Sequence, residues 1–148
     1  MAEFQTLAGT VVGMSSTLPA TKDQAGYEAL TFTNIGLVES VPDMGKEYDL
    51  VTFNELGDRS TKKAKGNYDN GGGDFVYALK KTDVGQGLLE SAVDSDNSQS
   101  MSFTYQDGRV RYVTGIVLSS RESGGGSSDI IKQTSKVEFD SDFVEVTP

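Results

Sequence analysis

Few residues in this chain could do chemistry. It has no cysteine and no histidine, which excludes thiol nucleophiles, Ser-His-Asp triads, disulfides and zinc sites built on Cys or His. Asp, Glu, Lys, Ser and Tyr remain. Ser60-Thr61-Lys62-Lys63 has the Ser-x-x-Lys spacing that sets a lysine base beside a serine nucleophile. That signature belongs at the start of a pocket helix with partner motifs, and here it stands in a basic polar stretch without them. Asp94, Asp96 and Ser98 open like a calcium loop, but its sixth position is Gln99 instead of Gly and its twelfth is Tyr105 instead of Glu. Gly71-Gly72-Gly73 lacks the Gly-Lys-Ser/Thr of a phosphate loop and leads into a strand pattern. The expectation is no enzyme, no metal and no cofactor.

The charges say more. Net charge is −9, from 22 acids and 13 bases in 148 residues. Residues 1–58 carry nine acids against two lysines, and 59–81 carry six bases against two acids. Residues 82–148 are acidic again. Such a surface repels phosphate backbones and anionic lipid, so neither nucleic-acid binding nor membrane attachment is expected. A polyanion could, however, pass it without sticking. Basic Arg59, Lys62, Lys63 and Lys65 suit an acidic protein partner, and another copy of this acidic chain is one such partner. No apolar run approaches a membrane span, and MAEFQTLAG lacks the basic-then-apolar order of a signal peptide. A cytoplasmic protein, or one released by lysis, is expected.

Strands must position these groups. Leu, Ile, Val and Phe make up 35 of the 148 residues, enough for a modest single-domain core. Met101, Phe103 and Tyr105 alternate with Ser102, Thr104 and Gln106, the period of a half-buried strand. Asp107-Gly108 predicts a two-residue turn that sets Tyr105 against Val110 and Phe103 against Tyr112. Val110, Tyr112, Ile116 and Leu118 would then share the core face. A turn at Gly124-Gly125 would oppose Val110 to Phe139 and Tyr112 to Val137, with Arg109 beside Asp140 and Arg111 beside Glu138. Further strands are expected at Phe4–Val12, Leu30–Val41, Leu50–Phe53, Phe75–Leu79 and Phe143–Val146. One helix is expected, capped by Asp83 with Gln86 three residues on, its stripe running through Val84, Leu88, Leu89, Ala92 and Val93. Residues 42–74, 94–100 and 122–129 read as loops, the first unusually long. The fold expected is mainly β: a sandwich or barrel with one flanking helix and a long extended loop.

Several stretches together resemble the tail tube (major tail) proteins of long-tailed, siphovirus-type bacteriophages. They are Gly9 to Thr21, Ala25-Gly26-Tyr27, Leu30 to Gly36, Gly45 to Tyr48, Leu56 to Arg59, Lys65 to Gly71 and Asp83 to Leu89. The likeness covers most of residues 1–93. It implies one β domain over 1–148, hexameric rings stacked head-to-tail into a tube, and DNA ejected through that tube. It also implies a tape-measure protein in the lumen, tail terminator and tail-tip partners, and a place in the virion tail after assembly in the host cytoplasm. Segment 42–74 would reach the next ring through Asp43, Glu47, Asp49, Leu50, Phe53, Leu56, Arg59, Lys62, Lys63 and Lys65. The lumen candidates are Ser102, Thr104, Gln106, Arg109, Arg111, Glu138 and Asp140. A monomeric β-sandwich binding module, such as an adhesin or carbohydrate-binding domain, is the alternative.

Overall fold

The computed structural model describes residues 3–148. Their elements run β1 (Val11–Ser15), α1 (Gln24–Glu28), β2 (Thr33–Ile35), β3 (Val38–Ser40), β4 (Asp43–Phe53), β5 (Lys62–Ala78), α2 (Val84–Val93), β6 (Gln99–Thr104), β7 (Val110–Ser123), β8 (Lys132–Phe139) and β9 (Val144–Val146). The main path of the sheet is β2-β1-β6-β7-β8-β5-β3, with β4 on β5 and β9 on β7. Its two outermost strands, β2 and β3, are consecutive in the chain with only Gly36 and Leu37 between them. The sheet must therefore curl until its edges meet, as a barrel does.

The barrel is filled by aromatic and aliphatic side chains. Phe75 stacks on Phe103 at 5.9 Å, and Phe139 meets Phe103 edge-on at 6.1 Å. Val12, Met14, Tyr77, Met101, Val113 and Val137 complete this core, and Leu89 and Ala92 of α2 join it from one side. The helix begins where expected: the Asp83 carboxylate accepts from the Gln86 amide at 2.9 Å. A second, five-residue helix, α1, was not expected. Its N-cap is Asp23, which accepts from the Gly26 amide at 2.8 Å. Tyr27 of α1 stacks on Tyr112 at 5.2 Å, and Phe32 packs on the same ring. The α1 segment thus covers part of the barrel's outer surface.

The β6-β7-β8 meander forms, but both expected registers are displaced. Thr104 pairs with Val110 and Phe103 with Arg111. The reason lies in the turn. Gly108 N donates to Tyr105 O, Tyr105 N donates to Arg109 O, and Gly108 has φ +91°. This is a three-residue connection with glycine in the left-handed position, not a two-residue one. One added residue reverses the faces of β7, so Val113 and Val117 enter the core while Tyr112 turns outward to Tyr27. Across the next hairpin, Gly115 opposes Phe139 and Val117 opposes Val137. An irregularity between Val117 and Ser119 then shifts the register by one. Arg109 and Arg111 are therefore not beside Asp140 and Glu138.

Other departures have local causes. Residues 3–10 are not a strand, because Gly9 turns the chain with φ +83° and β1 starts only at Val11. The stretch 30–41 is broken into β2 and β3 at the Gly36–Leu37 corner. Segment 42–74 is chiefly a long antiparallel hairpin of β4 and β5, with an irregular tip at 54–61.

Helix α2 lies close enough to β2 to exclude a side chain at Gly85. A Cβ there would sit 2.2 Å from the Asn34 carbonyl oxygen and 2.7 Å from Ile35 Cα, whereas one at Gly87 would meet open space. Gly85→Ala is expected to lower stability by about 1–3 kcal/mol. Gly87→Ala, in the same helix, should raise it by about 0.5–1 kcal/mol. Urea unfolding of both variants tests this packing, and similar shifts in the same direction would refute it.

Candidate assembly surface

Strand β5 is 17 residues long and changes partners along its length. Its C-terminal part, Gly72–Ala78, pairs with β8, and its N-terminal part, Lys62 onward, pairs only with β4. Residues 43–71 therefore leave the barrel as a two-stranded ribbon. A two-stranded hairpin is at best marginally stable alone in water. This one also exposes Tyr48, Leu50, Val51, Phe53, Leu56 and Tyr68. Phe53 is 62 % and Leu50 66 % exposed, on a chain whose barrel has a complete core of its own. This much uncovered apolar surface on one short hairpin, shared between its two faces, marks a contact with another molecule.

The charges that alternate in sequence are partly paired by the hairpin itself. Lys62 Nζ lies 3.6 Å from Glu55 and 3.5 Å from Asp58. Lys65 sits over the Tyr48 ring at 4.9 Å, on the side where Leu50 and Lys63 also stand. Arg59 and Lys63 have no acidic partner among the described residues. Of the ten proposed contact residues, the hairpin carries all ten on strands β4 and β5 or the tip. Asp43 stands at its base, opposite Gly72.

The lumen candidates do not form one face. Ser102 is buried, under Gly13 and Phe32, where a Cβ on Gly13 would meet its Oγ at 2.6 Å. Thr104 is half-buried and Gln106 exposed in the turn. Arg109 reaches Glu145 at 2.6 Å and lies over the Tyr105 ring, and Arg111 lies over the Phe143 ring. Both arginines belong to the strand face that holds Val113, the opposite side from Thr104 and Glu138. Asp140 accepts from Thr114 Oγ1 at 2.6 Å and also from Ser98 Oγ.

Sequence reading missed the recess where β5 parts from β8. Lys22, Tyr68, Asn70, Asp140, Ser141, Asp142 and Val144 line it. Tyr68 donates its hydroxyl to Asp142 at 3.0 Å. That hydrogen bond, with the carboxylate's negative charge, holds the Tyr68 phenol above its usual pKa. Lys46 stands 3.8 Å from the same carboxylate. No group of three or more metal-ligating side chains occurs among the described residues.

No protein-family model and no curated protein matches this chain. Solved structures do. A chain of the anti-feeding prophage baseplate, solved with 6-fold symmetry, superposes with a TM-score of 0.69 at 8 % identity, over 99 % of this chain and 98 % of that one. The SPP1 tail tube gives 0.64 at 14 % identity over 94 % of this chain and 77 % of that one. A chain of the sheath-tube complex of an extracellular contractile injection system, PVC, gives 0.65 at 10 % identity over 94 % and 88 %. The fold is thus mainly β and of the kind seen in these tail-tube and injection-system chains.

Because residues 46–66 add nothing to the buried core, the ribbon's amides should exchange faster than those of the barrel in an isolated subunit. Hydrogen exchange is expected to be quicker in 46–53 and 62–70 than in β6, β7 and β8. Equal protection in both regions would contradict this.

Proposed function

We propose that this chain is the tube-forming subunit of a siphovirus-type phage tail. Six copies form a ring, rings stack head-to-tail, and DNA is ejected through the bore. The observation that carries the reading is the projecting ribbon, an apolar hairpin that the chain's own barrel leaves uncovered. The fold likeness over nearly the whole chain to the SPP1 tail tube supports it. So does the likeness to a chain of a 6-fold symmetrised baseplate. A head-to-tail stack needs two different complementary surfaces, and a ribbon projecting from the barrel supplies one of them. Its apolar side chains contribute burial at about 25 cal/mol per Å², and its charges set orientation and encounter rate. A tape-measure protein would occupy the lumen during assembly, terminator and tip proteins would close the ends, and assembly would take place in the host cytoplasm. The completed subunit belongs to the virion tail.

Light scattering and negative-stain microscopy of concentrated protein are expected to show rings or tubes. A persistent 15.8 kDa monomer would favour the monomeric binding module instead. Changing Arg59, Lys63 and Lys65 to glutamate should leave folding intact and abolish polymerisation. Lys62 is left alone because it already pairs with Glu55 and Asp58. Tubes of ordinary yield from that triple variant would refute the assignment of the ribbon.

We further propose that an acidic or neutral bore keeps DNA mobile, since phosphate contacts that release counterions add affinity. Thr104 and Glu138 remain its candidates, on the outer barrel face. Lysine at Thr104 and Glu138 together should slow DNA passage without preventing tube assembly. Normal infectivity of a phage carrying both changes would count against it.

A further inference from the structure

The recess at the base of the ribbon has an unmet acceptor. Asn70 is nine-tenths buried, and its Oδ1 has no hydrogen-bond partner. Its side chain lines a space of about 500 Å³ together with the carboxylates of Asp140 and Asp142. The space exists because β5 leaves β8 at Gly72 while residues 140–143 bend toward β9, so the sheet opens like a wedge. A buried amide oxygen without a donor costs free energy until one arrives. Asp140 is met only by hydroxyl donors, and Asp142 by Tyr68 and by Lys46 at 3.8 Å, longer than a hydrogen bond, so the two carboxylates still favour a cationic donor.

We propose that this recess is the socket for Arg59 of a second copy of the chain, an assignment that rests on the tube reading above. Arg59 lies exposed at the ribbon's tip, beside Lys62, and has no acidic partner of its own among the described residues. A guanidinium has five donors in a planar fork, enough to meet Asn70 Oδ1 and a carboxylate at once. The geometry suits a stack. At about 3.3 Å per residue, the eight steps from Lys62 to Asn70 span about 26 Å, so tip and recess lie at opposite ends of the ribbon. A neighbour displaced along the ribbon by roughly its length brings its tip to this copy's base. That contact joins two different surfaces and leaves one of each free, so it repeats without closing. Lys22 at the recess wall is exposed and has no ion-pair partner among the described residues, so an incoming guanidinium can displace it.

The chain has no cysteine, so introduced thiols report without background. Ser60→Cys places one beside Arg59, and Lys22→Cys places one at the recess, with Arg59, Asn70, Asp140 and Asp142 all kept. Tubes of this double variant treated with a short bismaleimide should give an open-ended ladder on denaturing gels, extending past the number of copies in a ring. Each single-cysteine chain should stay monomeric. Separately, Arg59→Glu should raise the protein concentration needed for tube formation by at least about tenfold, while Ser60→Ala leaves it unchanged. Intact tubes with no ladder, or a ladder that stops at the ring size, would overturn the socket while leaving the tube reading in place. A wild-type chain that never forms rings or tubes would instead overturn the tube reading, and the socket with it.

Discussion

The closure of the barrel depends on how the Gly36 peptide is satisfied. Gly36 sits at the corner between β2 and β3, where the two edges of the curled sheet meet. Its amide donates to Asp83 Oδ2 at 3.1 Å, and its carbonyl accepts from Gln86 Nε2 at 2.8 Å. The same Gln86 donates to the Ala78 carbonyl at 3.0 Å and accepts from the Lys80 amide at 2.9 Å. Asp83 is at once the N-cap of α2 and the acceptor for the corner. Two side chains of one helical turn thus tie β2, β3 and β5 together. An unsatisfied buried amide or carbonyl costs about 1–3 kcal/mol, so this turn holds the seam against opening. The corner also places Leu37 at φ +59°, an uncommon backbone for a branched side chain, and the Ala78 amide to Leu37 carbonyl bond at 3.1 Å helps to hold it there.

A closed barrel explains why the ribbon can leave it. The core is complete without residues 46–66, none of which is among its buried members. The ribbon leaves through glycines: Gly45 on β4, and Gly71 on β5, which has φ +102° and the Asp43 carbonyl oxygen 2.5 Å from where a Cβ would stand. Only glycine allows the two strands to cross so closely there. The outcome is a closed barrel with an extension whose apolar side chains, apart from the Tyr48–Tyr68 ring pair, are left exposed. That division of labour suits a subunit that folds first and assembles afterwards.

Electrostatics follow the same division. On the ribbon, Lys62 is drawn to Glu55 and Asp58, so the sharp sequence contrast between an acidic limb and a basic limb is partly cancelled on folding. What remains is localised: Arg59 and Lys63 toward the tip have no acidic partner among the described residues, and at the base stand Asp140, held by hydroxyl donors, and Asp142, 3.8 Å from Lys46. Exposed ion pairs contribute little to stability. Their arrangement bears on which surfaces meet.

Much was determined by the sequence alone. The period-two run Met101–Tyr105 and the Asp83–Gln86 cap each encode their element locally, and both stand where they were expected. The ribbon residues were legible as one unusual polar segment, and of its strands only the Leu50–Phe53 part of β4 was expected. A strand that packs on no core needs no apolar alternation, and Lys62–Asn70 shows none. Register was illegible for a different reason. Whether Asp107-Gly108 makes a two- or three-residue turn depends on the backbone at Asp107, which would need positive φ in the two-residue turn and does not have it, yet it decides which face of β7 enters the core. Tertiary structure alone decided the seam and the recess. Each joins residues far apart in the chain, Gly36 with Asp83 and Gln86, and Asn70 with Asp140 and Asp142. Only the closing of the sheet, and its splitting at Gly72, brings those groups together.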